Sequence, residues 1–87
     1  AIGLNGAVAA ELRAERTAKG ITFDTLTERV SLSKSTLLFL FNARRLISLE
    51  ALAEITSALN ISGIEIIERA ENRLERELSE PKPEPQQ

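Results

Sequence analysis

Residues 20–45 read "GITFDTLTERVSLSKSTLLFLFNARR". Two apolar stretches each open on a hydroxyl side chain, and that arrangement predicts two short helices. Gly20 suits the end of a preceding helix, because it can take the left-handed conformation there. Thr22 then offers an oxygen to a free amide of the next helix, and Asp24 and Thr25 fill the first turn, where the helix dipole favours negative or polar groups. The second helix spans about Phe23–Arg29, with Leu26 and Val30 inward. Ser31 and Leu32 form a turn, Ser33 or its neighbour caps a third helix running to about Asn42, and helical spacing sends Leu37, Leu40 and Phe41 to the core.

The flanks are also helical. Leu4, Val8 and Leu12 recur at helical spacing in a first helix over Leu4–Lys19, where Glu15 stands four residues before Lys19. "ARRLI" reads as a loop, and Ser48 caps a fourth helix to about Leu59 whose inward face is Leu49, Leu52, Ile55, Thr56 and Leu59. Asn60 and Ile61 make a tight connection. "SGIE" then predicts a capping box, with Ser62 reaching forward and Glu65 back, at the head of a fifth helix to about Leu78. The closing "SEPKPEPQQ" alternates proline with charge and predicts a disordered tail over residues 79–87, a C-terminal extension or the start of a linker. Period-two alternation is absent, so the fold class is all-α: one domain over residues 1–78 with an extended C-terminal helix.

Composition removes several functions. With no cysteine and no histidine in 87 residues, disulfides, thiolate metal sites and most zinc chemistry are gone. No glycine-rich phosphate loop appears, and the carboxylates stand on helix faces with i, i+4 partners, so no enzyme, cofactor or metal site is expected. No apolar run approaches the roughly 18–20 residues that span a bilayer, and the chain lacks a cationic leader, so a cytoplasmic, untargeted protein is the default expectation. The net charge is −2, but residues 1–62 hold seven Lys or Arg against six Asp or Glu, while residues 63–87 hold four against seven. Between Glu28 and Glu50 there is no carboxylate, and Arg29, Lys34, Arg44 and Arg45 form a local +4 window. Such a window points to an anionic partner.

Two short helices joined by a three- or four-residue turn make a helix-turn-helix, here over residues 22–42, whose second helix enters the DNA major groove with its N-terminal residues against base edges. Lys34, Ser35 and Thr36 open that helix. Lysine can donate to guanine acceptors, and the hydroxyls suit several bases while the threonine methyl can meet a thymine methyl. Leu38 and Phe39 are unusually apolar for a DNA-facing helix. Two readings stay open for them: packing against the loop or a dimer partner, or contact of Phe39 with thymine methyls or the sugar backbone.

The segment "GITFDTLTERVSLSKSTLLFLFNARRLISLEALAEITSALNIS", within residues 8–74, resembles the lambda-repressor and Cro type of helix-turn-helix protein, the XRE family. The glycine, the cap, the apolar positions and the "LFN" closing the third helix carry the resemblance. It implies a compact five-helix DNA-binding domain in which Lys34 and Ser35 take the first base-reading places, Asn42 a phosphate-contact place and Arg45 a loop position that reaches the groove. Thr36 is expected to join the readers, and Thr22, Phe23, Ser33 and Phe39 to contact or support the DNA backbone. Arg44 has no assigned place in the family, but a guanidinium there can pair bidentately with phosphate and is expected at the backbone. Three departures bear on this. Phe23 replaces a glutamine that buttresses the first reading residue, Thr27 an alanine at a close helix approach, and Ser31 a turn glycine, a strain if positive φ is needed there.

One recognition helix buries little surface, and such proteins usually pair so that two helices meet successive major grooves about 34 Å apart. The fifth helix, residues 62–78, is the candidate homodimer interface, through Ile64, Ile67, Leu74 and Leu78, the last two predicted to lie beyond the compact core. The functional expectation is a transcription regulator, a phage or bacterial repressor, on double-stranded DNA. The competing reading is an antitoxin or transcription-machinery adaptor whose acidic C-terminal helix and tail bind a protein.

Overall fold

Three residues in the left-handed region punctuate the chain: Gly20 at φ 64°, Ala43 at φ 57° and Asn60 at φ 61°. Each closes a helix in the same way. The amide of the left-handed residue and the next amide fold back onto helix carbonyls, as in Gly20 to Thr17 and Ile21 to Arg16, Ala43 to Leu40 and Arg44 to Phe39, and Asn60 to Ser57 and Ile61 to Thr56. In this computed structural model, which describes residues 3–79, they and the extended turn after Arg29 separate five helices: α1 Leu4–Lys19, α2 Phe23–Arg29, α3 Lys34–Phe41, α4 Leu49–Ala58 and α5 Gly63–Ser79. The predicted helices match these within a residue or so. The predicted tail from residue 80 onward lies outside the described residues.

The hydroxyl caps act as the sequence implies. Thr22, Ser33 and Ser48 each accept from the amide three residues on, at 3.1 Å. At α5 the expected capping box does not form. Ser62 accepts from the Ile64 amide, and Glu65 pairs with Arg69 instead of reaching back, because a guanidinium one turn away attracts a carboxylate more strongly than a neutral amide does.

Leu12, Leu26, Leu37, Phe41, Ile55, Leu59 and Ile66 are fully buried, drawing the core from all five helices. Phe23 meets Phe41 edge to face, with ring centroids 5.2 Å apart. Two expected inward residues are not inward: Leu49 is 80% exposed and Leu4 42%. Each lies in the first turn of its helix, beyond the neighbours that cover Leu52 and Val8.

α1 and α5 form the most extensive helix pair. Ala9, Leu12, Ile66 and Ala70 are buried, and small alanines let helices approach. Flanking this seam are carboxylates that the sequence suggested were solvated. Glu11 and Glu15 are buried, Glu11 paired with Arg73 at 2.6 Å and Glu15 with both Arg69 at 2.8 Å and Lys19 at 2.9 Å. Removing one partner would strand a charge with little water around it, which costs more than the pair itself contributes. Lys19 also donates to the carbonyls of Leu59 and Asn60, tying α1 to the end of α4.

Candidate nucleic-acid interface

α3 is anchored from below and open above. Leu37, Leu40 and Phe41 hold one face in the core, while Lys34, Ser35, Leu38, Phe39 and Asn42 stand exposed. Those five positions form a stripe along one side of the helix. It is polar at the N-terminal end and apolar in the middle, where Leu38 and Phe39 are 39% and 38% exposed.

Lys34 does not extend freely into solvent. Its Nζ lies 3.0 Å from an Asp24 carboxylate oxygen on α2. Ser35 is exposed, while Thr36 is half-buried and its hydroxyl accepts from Ser33 Oγ at 3.0 Å. Of the three residues opening α3, Thr36 is thus the one most occupied by the cap.

The three departures from the family pattern are absorbed locally. Phe23 is half-buried between the Phe41 ring and the Arg16 guanidinium, which lies 4.4 Å from its centroid; the partner of Lys34 is the neighbouring Asp24. The Thr27 hydroxyl donates to the Asp24 carbonyl at 2.6 Å, so its polar atom is satisfied. Ser31 is not among the positive-φ residues, so no glycine is needed there. Its amide and hydroxyl both donate to Glu54 of α4, at 2.8 and 2.9 Å.

The +4 window of the sequence is not a +4 patch in space. Arg29 donates to the Ala58 carbonyl at the end of α4, at 2.9 Å, and Lys34 is paired with Asp24. Glu54, distant in sequence, stands at the turn before α3, its carboxyl held below the usual range by the Ser31 amide first and the Ser31 hydroxyl second. The cations remaining at the C-terminal end of α3 are Arg44 and Arg45, both exposed and, among the described residues, outside any ion pair.

That end is rigidly built. The Asn42 side chain donates back to the Leu38 carbonyl at 2.9 Å, and Arg13 of α1 donates to the Phe41 carbonyl. The Arg45 guanidinium lies over the Phe39 ring, 4.7 Å from its centroid, so Phe39 packs against the loop, one of the two arrangements open from the sequence. Asn5 holds the loop at two points, donating to the Arg45 carbonyl at 3.0 Å and accepting from the Ile47 amide at 2.8 Å. Sequence reasoning missed Asn5, Arg13, Arg16 and the Asp24 pairing. Their partners are set by packing, and no local pattern signals them.

A second surface lies along α5. Ile64 and Leu78 are 80% and 70% exposed. Ile67 and Leu74 are half-buried against the core, so Leu74 is within reach of the compact unit and not beyond it. Leu46 and Leu49 extend this apolar surface, in shallow grooves bordered by Glu68, Glu71 and Glu75.

A seven-residue helix, a tight turn and an eight-residue helix with one face buried and the other presented to solvent define a DNA-binding helix-turn-helix domain. The chain belongs to the helix-turn-helix domain family, whose model matches residues 7–71. It is similar to a crystal structure of the clp gene regulator ClgR from Corynebacterium glutamicum, at 29% identity and a TM-score of 0.83 over 90% of this chain and 83% of that one. A second crystal structure of that regulator matches at 31% identity and a TM-score of 0.79, over 85% of this chain and 96% of the other. No curated protein matches in sequence. Family and fold together are those of a DNA-binding transcription regulator. Among the described residues no helix is long and apolar enough to cross a membrane.

Proposed function

We propose that this chain is a sequence-specific regulator of transcription, a phage or bacterial repressor that sits as a homodimer on an inverted-repeat operator and blocks polymerase. The observation that carries the reading is the exposed stripe of α3, continuous with the Arg44 and Arg45 loop, on a helix whose other face is locked into the core. In this reading Lys34, Ser35, Thr36 and Arg45 meet base edges. Asn42 and Arg44 meet phosphates, which fix the register without reading sequence. Thr22 and Ser33 hold the helix starts, and Phe23 and Phe39 support the reading surface from below and beside.

Pairing through Ile64, Ile67, Leu74 and Leu78 is supported by the exposure of Ile64 and Leu78 and by adjoining apolar grooves, one lined by Ile64 and Ile67 with Leu49, the other by Ile67 with Leu46. Burying such side chains contributes about 1.5–3 kcal/mol each relative to leaving them in water. A monomer mass in sedimentation at tens of micromolar would remove the dimer from the reading.

A second reading is favoured by the acidic border of the same grooves, Glu68, Glu71 and Glu75. An antitoxin or an adaptor of the transcription machinery would use this border against a basic protein partner. Selection of duplexes from a random DNA pool at moderate salt tests the first reading and separates it from a pure protein adaptor, though not from an antitoxin that also binds DNA. Recovery of an inverted repeat with half-sites about one helical turn apart supports the dimeric regulator. Recovery of no motif, with binding that disappears as salt rises, rejects it.

A further inference from the structure

We propose that Asn5 is a positioning residue for DNA binding: from α1 it sets the α3–α4 loop so that Arg45 is presented, stacked on Phe39, as a preformed contact to DNA. The inference rests on the reading of α3 and its loop as the DNA surface and adds to it a residue outside the helix-turn-helix.

The loop is fixed at both ends. On the α3 side the Arg44 amide donates to the Phe39 carbonyl at 2.9 Å, closing the helix through the left-handed Ala43. On the other side one amide side chain uses both of its polar ends. Asn5 Nδ2 donates to the Arg45 carbonyl at 3.0 Å, and Asn5 Oδ1 accepts from the Ile47 amide at 2.8 Å. Few side chains can do this. Aspartate lacks the donor, and serine is too short to span the two groups.

Arg45 lies between these fixings, and its guanidinium covers the exposed Phe39 ring at 4.7 Å. Stacking occupies one face of the guanidinium and leaves the N–H edge for a planar pair of acceptors, either two phosphate oxygens or the O6 and N7 of guanine. An unrestrained arginine loses much rotamer freedom on binding. A clamped and stacked one has given up part of that freedom in the free protein, so less is lost on contact. The apolar centre of the α3 stripe thereby gains a purpose: Phe39 is the platform on which a loop cation rests.

The test is a double-mutant cycle in the 87-residue chain, read by fluorescence anisotropy on a selected operator and on a random duplex, with circular dichroism confirming folded variants. Asn5→Ala is expected to weaken operator binding about three- to tenfold, the range of one or two modest hydrogen bonds. The Asn5→Ala, Arg45→Ala double variant should bind no more weakly than Arg45→Ala alone, because Asn5 acts through Arg45. Phe39→Leu, a surface change that keeps apolar bulk, should likewise weaken binding only when Arg45 is present.

Loss on both duplexes with a shallower salt dependence would assign Arg45 to phosphate, and loss on the operator alone to guanine; either supports the positioning role. Additive losses, or an Asn5→Ala variant that binds like the parent, would overturn it. An Arg45→Ala variant that binds normally would also overturn it, while leaving the reading of α3 intact. Failure of the parent chain to bind any duplex at low salt would instead refute the proposed function itself.

Discussion

Replacing Asp24 with asparagine is expected to tighten DNA binding while lowering thermal stability. The Lys34–Asp24 pair is close, at 3.0 Å, but its side chains are 55% and 80% exposed. Two unit charges at that distance in water attract by about 1.4 kcal/mol, and the entropy of holding both side chains reduces exposed pairs to about 0.2–1 kcal/mol. The carboxylate also stands in the first turn of α2, a placement that contributes about 0.3–1 kcal/mol. Asp24→Asn should therefore lower stability by about 0.5–2 kcal/mol, a fall in Tm of roughly 2–16 °C for a domain of this size. On DNA the sign reverses. The lysine no longer has to leave a carboxylate, and one negative charge is removed beside a polyanion, so binding should strengthen by up to about 1 kcal/mol, or about fivefold. Anisotropy titrations at two salt concentrations, paired with thermal melts, measure both quantities. Unchanged or weaker binding by a folded variant would refute the reasoning, and would mean either that Asp24 orients Lys34 for contact or that Lys34 does not approach DNA.

Phe41→Ala should cost about 3–5 kcal/mol, since Phe41 is fully buried and pairs with Phe23; a urea midpoint within error of the parent would contradict the packing. Ala43→Gly should stabilise the chain by up to about 1 kcal/mol, the left-handed penalty of an L-residue less the entropy of glycine, and is read as a rise in Tm. Arg44→Ala should weaken operator and random duplexes alike and reduce the slope of log K against log salt by about one; loss confined to the operator would make Arg44 a reader. The Glu15 carboxyl is held low by the Lys19 hydrogen bond first, with Arg69 adding and burial opposing, and Glu54 by Ser31. Because the folded state lowers both values, their contribution to stability is complete above the ordinary carboxyl value of 4.5 and is lost as pH falls through the lower folded values. Denaturation midpoints between about pH 7 and 3 should hold level and then drop below about pH 4.5.

Most helix boundaries were legible because they depend on neighbours in sequence: a serine or threonine three residues before the amide it satisfies at the heads of α2, α3 and α4, and a glycine or asparagine able to turn left-handed after α1 and α4. The inward residues of α3 were legible for the same reason, since one helical period fixes them. What failed depends on distance. The Arg29 guanidinium serves the end of α4, and Glu54 reaches the turn before α3, so a charge count along a window misjudged the charge in space. Glu11 and Glu15 read as solvated carboxylates; Glu15 does keep its i, i+4 partner Lys19, yet both are buried, and their partners across the seam, Arg73 and Arg69, stand 62 and 54 residues away. Leu49 satisfied the α4 period but lies at the helix start, where nothing covers it. Ala43 gave no signal at all, because alanine carries no mark of the left-handed turn it adopts.

The seam between α1 and α5 also sets when the protein becomes competent during its synthesis. α1 is made before α5, so Glu11 gains Arg73, and Glu15, already paired with Lys19 inside α1, gains Arg69, only after those residues have been added, when Ile66 also completes the core around Leu12. Until then the nascent chain holds a helix-turn-helix without the α5 side of its core. DNA binding is therefore expected to appear late and abruptly as the chain lengthens, so that incomplete translation products do not compete for sites.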